Sequence, residues 1–439
     1  MREQPCRIII QFSGQTGQNL ASDLEKIFGA SIFMGTMPDS IDEIEDRKKF
    51  AESLEAMGML QPEFVTISNM QQAVEAIEKV RLPLIVRSSF IIGGRAMDIV
   101  NDRDDLFRRI SDLLNERPQY PILLSRYVED ATEIDVDFVS DGRNSVIAGI
   151  CVHIEEAGTH SGDATMVMGP GIPSPDISSR ITSLVRKFTE RFSLRGFSNL
   201  QLAVKDDRIY IIELNARASR SLPFVSKATG RDWIRTGISA MTGHRIQEKP
   251  GEPSSYFVKV PAFPFNRFLD LDAVLGPEMK STGEGMSAGK TLEEAMEKAL
   301  KLMRINIPHG GKVLVSVSDR DKAALVPVAR SLAGRGFSIY ATPGTRKHLE
   351  ENGIAAGTVY KIEDLRKPGI DEFIASQKPV LIINTPNMRS GAIRDGNEIR
   401  KIAIRSNIPL ITNLRLAESL ARALETETKP KYLEIGEYW

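Results

Sequence analysis

The sequence predicts a multidomain α/β and α+β chain that ends in a doubly wound parallel sheet. Three observations predict it. A length of 439 residues exceeds a single core and fits two or three domains. A Pro/Gly/Ser-rich stretch, "QEKPGEPSSYF" at 247–257, interrupts the pattern as a linker does. Beyond Lys312, short apolar runs alternate with helical segments, the arrangement that builds a parallel sheet covered on both faces.

Composition excludes several classes. Hydrophobic residues make up 41% and charged residues 26%, as in ordinary globular proteins. A formal net charge of -1 gives no overall field toward nucleic acid or an anionic membrane, so neither is expected as a partner. Cys6 and Cys151 are the two cysteines, too few for a disulfide framework or a Cys-rich zinc site, and they fit a reducing cytoplasm. No apolar run approaches the roughly 18 residues of a membrane span. The start, "MREQPCRIIIQFSG", lacks the basic-then-apolar order of a signal peptide.

The elements follow in order. "RIIIQF" (7–12), a helix to about Phe28 and "ASIFMG" make a small βαβ-like opening. Residues 40–58 have helical spacing, with Ser40 as N-cap and Glu43 three residues on. "FVTISN" and "LPLIVRSSF" enclose a helix with an apolar period near 3.6. "YPILLSRYV", "TEIDVDFVSD" and "NSVIAGICVHIEEAG" are strands, the second alternating apolar with acidic residues. A helix over 176–192 precedes the hairpin "NLQLAVKDDRIYIIELN", and helices continue to about Met241. The mixed segment 257–310 contains the helix "TLEEAMEKALKLM". The final unit has strands "KVLVSVS", "FSIYAT", "GTVYKI", "PVLIINT" and "IPLIT". Its helices span 321–334, 345–353 and 391–406, with a last one to about Leu424.

The hairpin carries the strongest chemical signal. A three-residue loop Asp206-Asp207-Arg208 would pair Gln201 with Glu213, and residues two apart on a strand share a face. Gln201, Glu213 and Asn215 then converge as one carboxylate and two amide oxygens, a set suited to Mg²⁺ completed by water and phosphates. Arg217 and Arg220, beyond the strand end, are placed to neutralise an anionic substrate or a transferring phosphoryl group. An edge hairpin with solvated polar residues would carry the same pattern.

Other candidates are weaker. In "LIVRSSFIIGGRAM" a strand delivers Arg87 to a loop with Gly93, Gly94 and Arg95, where backbone N–H groups could approach phosphate, although most Gly-Gly pairs are plain turns. "HIEEAGTHSGDATMV" places His160 and Asp163 in a polar loop; with no His-x-x-x-His spacing and no third nitrogen ligand, zinc is not expected. "PHGGKV" lacks the first glycine and the Ser/Thr of a phosphate-binding P-loop, and no Gly-x-Ser-x-Gly elbow occurs. "TPGT" (342–345) and "NTPNMRSGA" (384–392) are strand-to-helix turns. There a doubly wound sheet binds anions, and simple capping is the alternative.

Assembled, these residues resemble a known family. "VRSSFIIGGRAMDIV", "ATEIDVDFVSDG", "HIEEAGTHSGD" and "IIELNARASRSLPFVSKATG" are similar to an ATP-grasp fold. "PFNRF…LGPEMKSTGE" and "GKVLVSVSDRDK…ATPGT…INT" narrow the resemblance to the C-terminal half of the carbamoyl phosphate synthetase large subunit, from about residue 7 to about 425. The last motif belongs to a methylglyoxal-synthase-like regulatory domain there. The resemblance implies four parts: 1–40, a remnant of the nucleotide-fold domain that precedes ATP-grasp; 41–247, ATP-grasp; 248–310, a segment completing the synthetase unit; and 311–439, the regulatory domain.

The resemblance also implies a reaction, the phosphorylation of carbamate by ATP to give carbamoyl phosphate and ADP for pyrimidine and arginine biosynthesis. It implies Mg²⁺ or Mn²⁺ on Gln201, Glu213 and Asn215. ATP-binding residues fall on Arg47, Arg87, Gly93, Gly94, Glu133, Gly158, His160, Ser161, Gln201 and Glu213, with Glu133 accepting from ribose hydroxyls. Substrate phosphate contacts fall on Arg217 and Arg220. Nucleotide-effector contacts fall on Ser316, Lys322, Thr342, Thr345, Lys361, Asn384 and Thr385, and amino-acid activator positions on Glu155, Asp163 and Glu278. The implied partners are the N-terminal synthetase half, which supplies carbamate, and a glutaminase small subunit. The strands missing ahead of "IIIQFSGQT" are expected from another polypeptide, or the fragment is incomplete, and activity is expected once partner chains are added. Ser88 and Ala216 replace usual prolines, and Pro343 stands where a histidine is common. A non-catalytic nucleotide- and effector-binding subunit and another ATP-grasp ligase are the alternative readings.

Overall fold

The computed structural model describes residues 7–88, 97–116, 120–268, 271–306, 308–361, 364, 366–385, 390–425 and 431–439, without the side chains of residue 15 and of 390–395. The chain divides into two compact units. One holds Met1–Gly162, Met166–Phe257 and Leu433–Trp439; the other holds Asp163–Thr165 and Val258–Tyr432.

The first unit opens with a parallel pair, β1 (Ile8–Ile9) and β2 (Phe33–Met34). The segment expected as one helix over 40–58 is two, Pro38–Glu45 and Arg47–Ala56. Asp46 divides them. Its extended backbone ends the first helix, and its carboxylate accepts from the Lys48 and Lys49 N–H groups to cap the second. Ser40 therefore lies inside a helix rather than at its cap.

A four-stranded sheet follows, with β3 (Phe64–Ile67), β4 (Leu84–Ser88), β5 (Met97–Val100) and β6 (Ile122–Arg126) in the order β3-β6-β4-β5. The larger sheet uses β7 (Thr132–Asp141), β8 (Ser145–Glu156), β9 (Met166–Met168), β10 (Arg195–Lys205) and β11 (Arg208–Asn215). Within this unit its order is β11-β10-β7-β8-β9.

Alternation makes the larger sheet two-faced. Ile134, Val136, Phe138, Leu200, Leu202 and Leu214 point to one side and pack on the helix Pro175–Phe192. That helix begins at Ser174, whose hydroxyl accepts from the Ile177 N–H, and it buries Ile177, Ile181, Val185, Phe188 and Phe192 along one stripe. Phe50 of the Arg47–Ala56 helix packs its ring 6.2 Å from Phe188 and 6.0 Å from Phe192. Each such side chain contributes about 1.5–3 kcal/mol through burial. This core leaves the acidic residues of β7 on the opposite face.

The β10–β11 hairpin differs from expectation in detail. Lys205 pairs with Arg208, so the loop has two residues, not three. Asp206 and Asp207 adopt φ of 48° and 58°, the left-handed values a two-residue hairpin turn requires. The pairing of Gln201 with Glu213 is nevertheless as expected, because a β-bulge between Gln201 and Leu202 adds Ile212 on the opposite strand. Ile211 and Leu214 both enter the main core although three residues apart, while Ile212 joins a separate cluster with Tyr210.

In the second unit, β12 (Tyr256–Ala262) enters from the first and neighbours β13 (Gly283–Gly289). A five-stranded parallel sheet then forms from β14 (Gly311–Ser316), β15 (Phe337–Ala341), β16 (Gly357–Thr358), β17 (Leu381–Asn384) and β18 (Leu410–Ile411). Its order is β16-β15-β14-β17-β18. This is the alternating arrangement read from the sequence, with the helices Lys322–Gly334, Pro343–Glu351 and Ser390–Arg405 close to their expected spans.

Candidate functional site

The polar face of the larger sheet gathers oxygen-bearing side chains in two rows. Register aligns Asp135, Gln201 and Glu213 across β7, β10 and β11, and aligns Asp137, Asn199 and Asn215 one step along. Gln201, Glu213 and Asn215 thus lie together on neighbouring strands. Gln201 Nε2 donates to Ser161 Oγ at 3.2 Å, which leaves the amide oxygen of Gln201 free of that contact. Asn215 is 2% exposed, and its Oδ1 has no hydrogen-bond partner; Asp135 Oδ1 is in the same condition. A buried oxygen without a donor costs on the order of 1–3 kcal/mol unless something fills its place.

An all-oxygen set with buried acceptors fits a hard divalent cation. Among the described residues no group of three or more His, Cys, Asp or Glu side chains is placed to hold a metal, so a ligand set here must draw on amides as well as Glu213.

Charge at the face is strongly perturbed. His153 lies 3.4 Å from Glu133 through Nδ1 and 3.5 Å from Asp135 through Nε2. Burial alone would lower its pKa, but Asp135 and Glu133 outweigh that and push it up to about 9. Asp137 is forced the other way in charge. Burial raises its pKa to about 6 against the hydrogen bonds it accepts from Ser221 (2.6 Å) and Asn199 (3.0 Å). Arg47 is lowered to about 10 by burial and by Arg87, while Glu213 opposes the shift. Arg47, Arg87 and Glu213 therefore share one electrostatic neighbourhood.

Glu133 is held from a second side. Its Oε1 accepts the Gly158 N–H at 3.0 Å. Gly158 has φ of +88°, and a Cβ there would come within 2.9 Å of the Tyr127 ring and 3.0 Å of Ile99. Tyr127, Ala131, Ala157 and Ala203 form a small apolar cluster beside it with Ile85, Ile99 and Ile212. His160 Nδ1 accepts the Gly162 N–H at 3.0 Å, which assigns the ring proton to Nε2 in the neutral form. Arg217 is half-buried; its Nη1 donates to the Ala218 carbonyl at 3.4 Å, whereas Arg220 is exposed. Gly93 and Gly94 lie outside the described residues.

Asp135, Asp137, His153 and Asn199 belong to this face and were not among the candidates. The alternation in "TEIDVDF" and the spacing of "NLQ" were the signals that could have found them.

The second unit gathers a cluster of hydroxyl side chains at the carboxyl ends of the parallel strands. Thr342 Oγ1 lies 3.2 Å from Ser316 Oγ and 3.4 Å from Thr345 Oγ1. It makes no capping bond to the helix Pro343–Glu351 that follows, so capping does not explain it. Thr345 and Thr385 accept from the Val317 and Ser318 N–H groups. Lys322 Nζ pairs with Asp319 at 2.7 Å and stands 3.4 Å from where a side chain on Gly344 would begin. Asn384 and Thr385 are buried at the end of β17, and Lys361 is half-buried. Asp163 accepts the N–H groups of Lys280 and Ser281 at 2.7 and 2.9 Å; Glu278 is exposed, and Glu155 is buried in the first unit.

A two-faced sheet with a polar face, followed by a parallel-sheet domain, is the architecture here of an ATP-grasp fold joined to a methylglyoxal-synthase-like domain. It resembles solved structures over about two thirds of its length. They include the biotin carboxylase domain of 2-oxoglutarate carboxylase from Hydrogenobacter thermophilus, solved with magnesium ADP, ADP and bicarbonate, with a TM-score of 0.55 and 15% identity over 65% of this chain and 71% of that one. Phosphoribosylamine–glycine ligase from Thermotoga maritima has a TM-score of 0.52 and 19% identity over 69% and 83%.

Residues 46–249 match the family described as carbamoyl-phosphate synthase L chain, ATP binding domain, and residues 324–412 match the MGS-like domain. The carbamoyl phosphate synthase large chain of Thermoplasma acidophilum is 48% identical over 439 residues, and that of Acidobacterium capsulatum is 41% identical over 443. The alignments cover 100% and 98% of this chain. The chain belongs to the carbamoyl phosphate synthase large-chain family. It spans 41% and 40% of the length of these two relatives.

Proposed function

We propose that the first unit binds ATP on the polar face of its larger sheet and phosphorylates carbamate, giving carbamoyl phosphate and ADP. The observation that carries this reading is the alignment of Gln201, Glu213 and Asn215 on adjacent strands, with Asn215 Oδ1 buried and unpartnered.

In this reading Glu133, fixed by Gly158 and flanked by the apolar cluster of Ile85, Ile99 and Ala203, accepts from ribose hydroxyls. Arg47 and Arg87 neutralise the phosphates, and His160, Ser161, Gly93 and Gly94 are taken as further nucleotide contacts. Gln201, Glu213 and Asn215 would hold Mg²⁺ or Mn²⁺, which supplies charge neutralisation at the phosphates. A carbamate oxygen attacks the γ-phosphorus, the bond to the ADP oxygen breaks, and Arg217 and Arg220 balance the charge on the transferring group. No covalent enzyme intermediate is needed; positioning and electrostatics carry the rate.

The same reading takes residues 1–40 as belonging to the nucleotide-fold domain that precedes ATP-grasp, 41–247 as ATP-grasp, 248–310 as the linking segment and 311–439 as regulatory. It makes the chain one section of a cytoplasmic synthase. Carbamate then comes from a homologous synthetase half and ammonia from a glutaminase subunit. Among the described residues no helix is long and apolar enough to cross a membrane. The cluster of Ser316, Lys322, Thr342, Thr345, Lys361, Asn384 and Thr385 takes a nucleotide effector, and Asp163 and Glu278 contribute to binding an amino-acid activator.

The test is ADP formation from carbamate and ATP by the chain assembled with its partners. Carbamate-dependent turnover that requires Mg²⁺ supports the reading. An assembled complex in which this chain never binds ATP overturns it in favour of a non-catalytic subunit. Turnover with an amino-acid acceptor in place of carbamate would favour another ATP-grasp ligase.

A further inference from the structure

Within the second unit a buried arginine joins two places far apart in sequence. Arg400, on the helix Ser390–Arg405, is 3% exposed. Its Nε and Nη2 donate to the two carboxylate oxygens of Asp272, each at 2.6 Å. Its Nη1 donates to Asn384 Oδ1 at 2.7 Å. With its oxygen held, the Asn384 amide has one orientation, and its Nδ2 donates to the Ser316 carbonyl at 2.9 Å. Asn384 and Ser316 belong to the hydroxyl-rich cluster. Gly396 keeps the arginine's place open, since a Cβ there would lie 2.9 Å from Nη1.

Asp272 is in turn fixed to its own segment. Lys280 Nζ donates to the Asp272 carbonyl at 3.0 Å and to the Val274 carbonyl at 2.6 Å. Asp163 receives the Lys280 and Ser281 N–H groups at the segment's far end. Burying a guanidinium is expensive unless every face is matched, and here its planar fork is matched by a carboxylate on one side and an amide on the other.

We infer that Arg400 is a positioning residue of an anion site in this cluster: it orients Asn384, and its bridge to Asp272 ties a phosphate monoester bound there to the 271–281 segment. The inference rests on the regulatory reading of the cluster proposed above.

The experiment uses the full chain with inorganic phosphate and a panel of purine and pyrimidine nucleoside 5′-monophosphates. It combines titration calorimetry with hydrogen exchange of the 271–281 amides. In the parent protein the tightest-binding probe slows exchange at 271–281. Asp272→Asn and Arg400→Lys each weaken that probe about tenfold, since lysine keeps the charge but cannot hold both partners. In both variants the ligand-dependent slowing at 271–281 disappears. Thermal melts verify folding, and Asn384→Ser replaces Arg400→Lys if the latter does not fold. Affinities within about twofold of the parent, with the exchange response intact, overturn the coupling alone. Failure of every probe to bind the parent protein overturns the regulatory reading, and the coupling with it.

Discussion

The Arg47 guanidinium donates to the backbone carbonyl of Ile212 at 3.1 Å, and Ile212 is the additional residue of the bulge in β11. A regular ladder would direct that carbonyl to a neighbouring strand. The bulge instead turns it toward a half-buried cation that also feels Glu213 and Arg87. One irregular residue thus positions the arginine beside the proposed metal ligands.

Arg47→Met removes the charge and keeps the packing over the Phe64 ring, 5.4 Å from the guanidinium. Affinity for ATP in the assembled complex should fall about tenfold. An unchanged titration curve would remove Arg47 from the nucleotide site.

His153 makes stability depend on alkaline pH. Its folded pKa, up to about 9, lies above the ordinary value of 6.5. The stabilising contribution is therefore complete below about pH 6.5 and is lost as pH rises through 9. It amounts to on the order of 3 kcal/mol. The melting-temperature gap between the parent protein and His153→Gln should be widest near pH 6 and shrink by about pH 9.5. A gap that stays constant over that range contradicts the charged imidazole.

Asp137 shifts stability with pH in the same direction, although here the folded protein favours the neutral form. Its folded pKa, raised to about 6 by burial, also lies above the ordinary 3.8, so the fold favours the neutral acid. The penalty for ionising it is absent below pH 3.8 and grows as pH rises through 6. Asp137→Asn can keep contacts to Asn199 and Ser221 without the charge. It should melt above the parent protein at pH 8, with the difference closing as pH falls toward 4. A variant that melts lower at pH 8 would show that the ionised carboxylate is what the fold uses.

Gly158→Ala tests how Glu133 is held. The positive φ and the approach to Tyr127 and Ile99 make any side chain strained, and destabilisation of about 1–3 kcal/mol is expected. Because the Gly158 N–H fixes Glu133, the affinity for ATP should fall more than that for inorganic triphosphate, which lacks the ribose. Equal losses for the two would separate Glu133 from ribose binding.

Much of the fold was legible because its signals are local. The strand Thr132–Asp141 and the helix Pro175–Phe192 follow from alternation and from a Ser-Pro start, and the parallel unit follows from its repeated strand–helix rhythm. The pairing of Gln201 with Glu213 was legible too, although the loop and the bulge that produce it were not. A one-residue shorter turn and a one-residue bulge cancel in register, and neither leaves a distinct mark in composition. The break at Asp46 was hidden because the flanking residues keep helical spacing across it. Burial of charge was least visible. Nothing in "EIDVDF" marks Asp135 and Asp137 as interior, and Arg400 finds Asp272 only through the folded chain, 128 residues away.

The measurement that tests the central claim most directly is carbamate-dependent ADP formation by the assembled complex carrying Glu213→Gln, followed across a Mg²⁺ titration. Loss of the one carboxylate in the ligand set should lower turnover about a hundredfold and shift half-saturation to higher Mg²⁺. Parent turnover with an unchanged Mg²⁺ dependence would contradict the assignment of Gln201, Glu213 and Asn215 as the metal site.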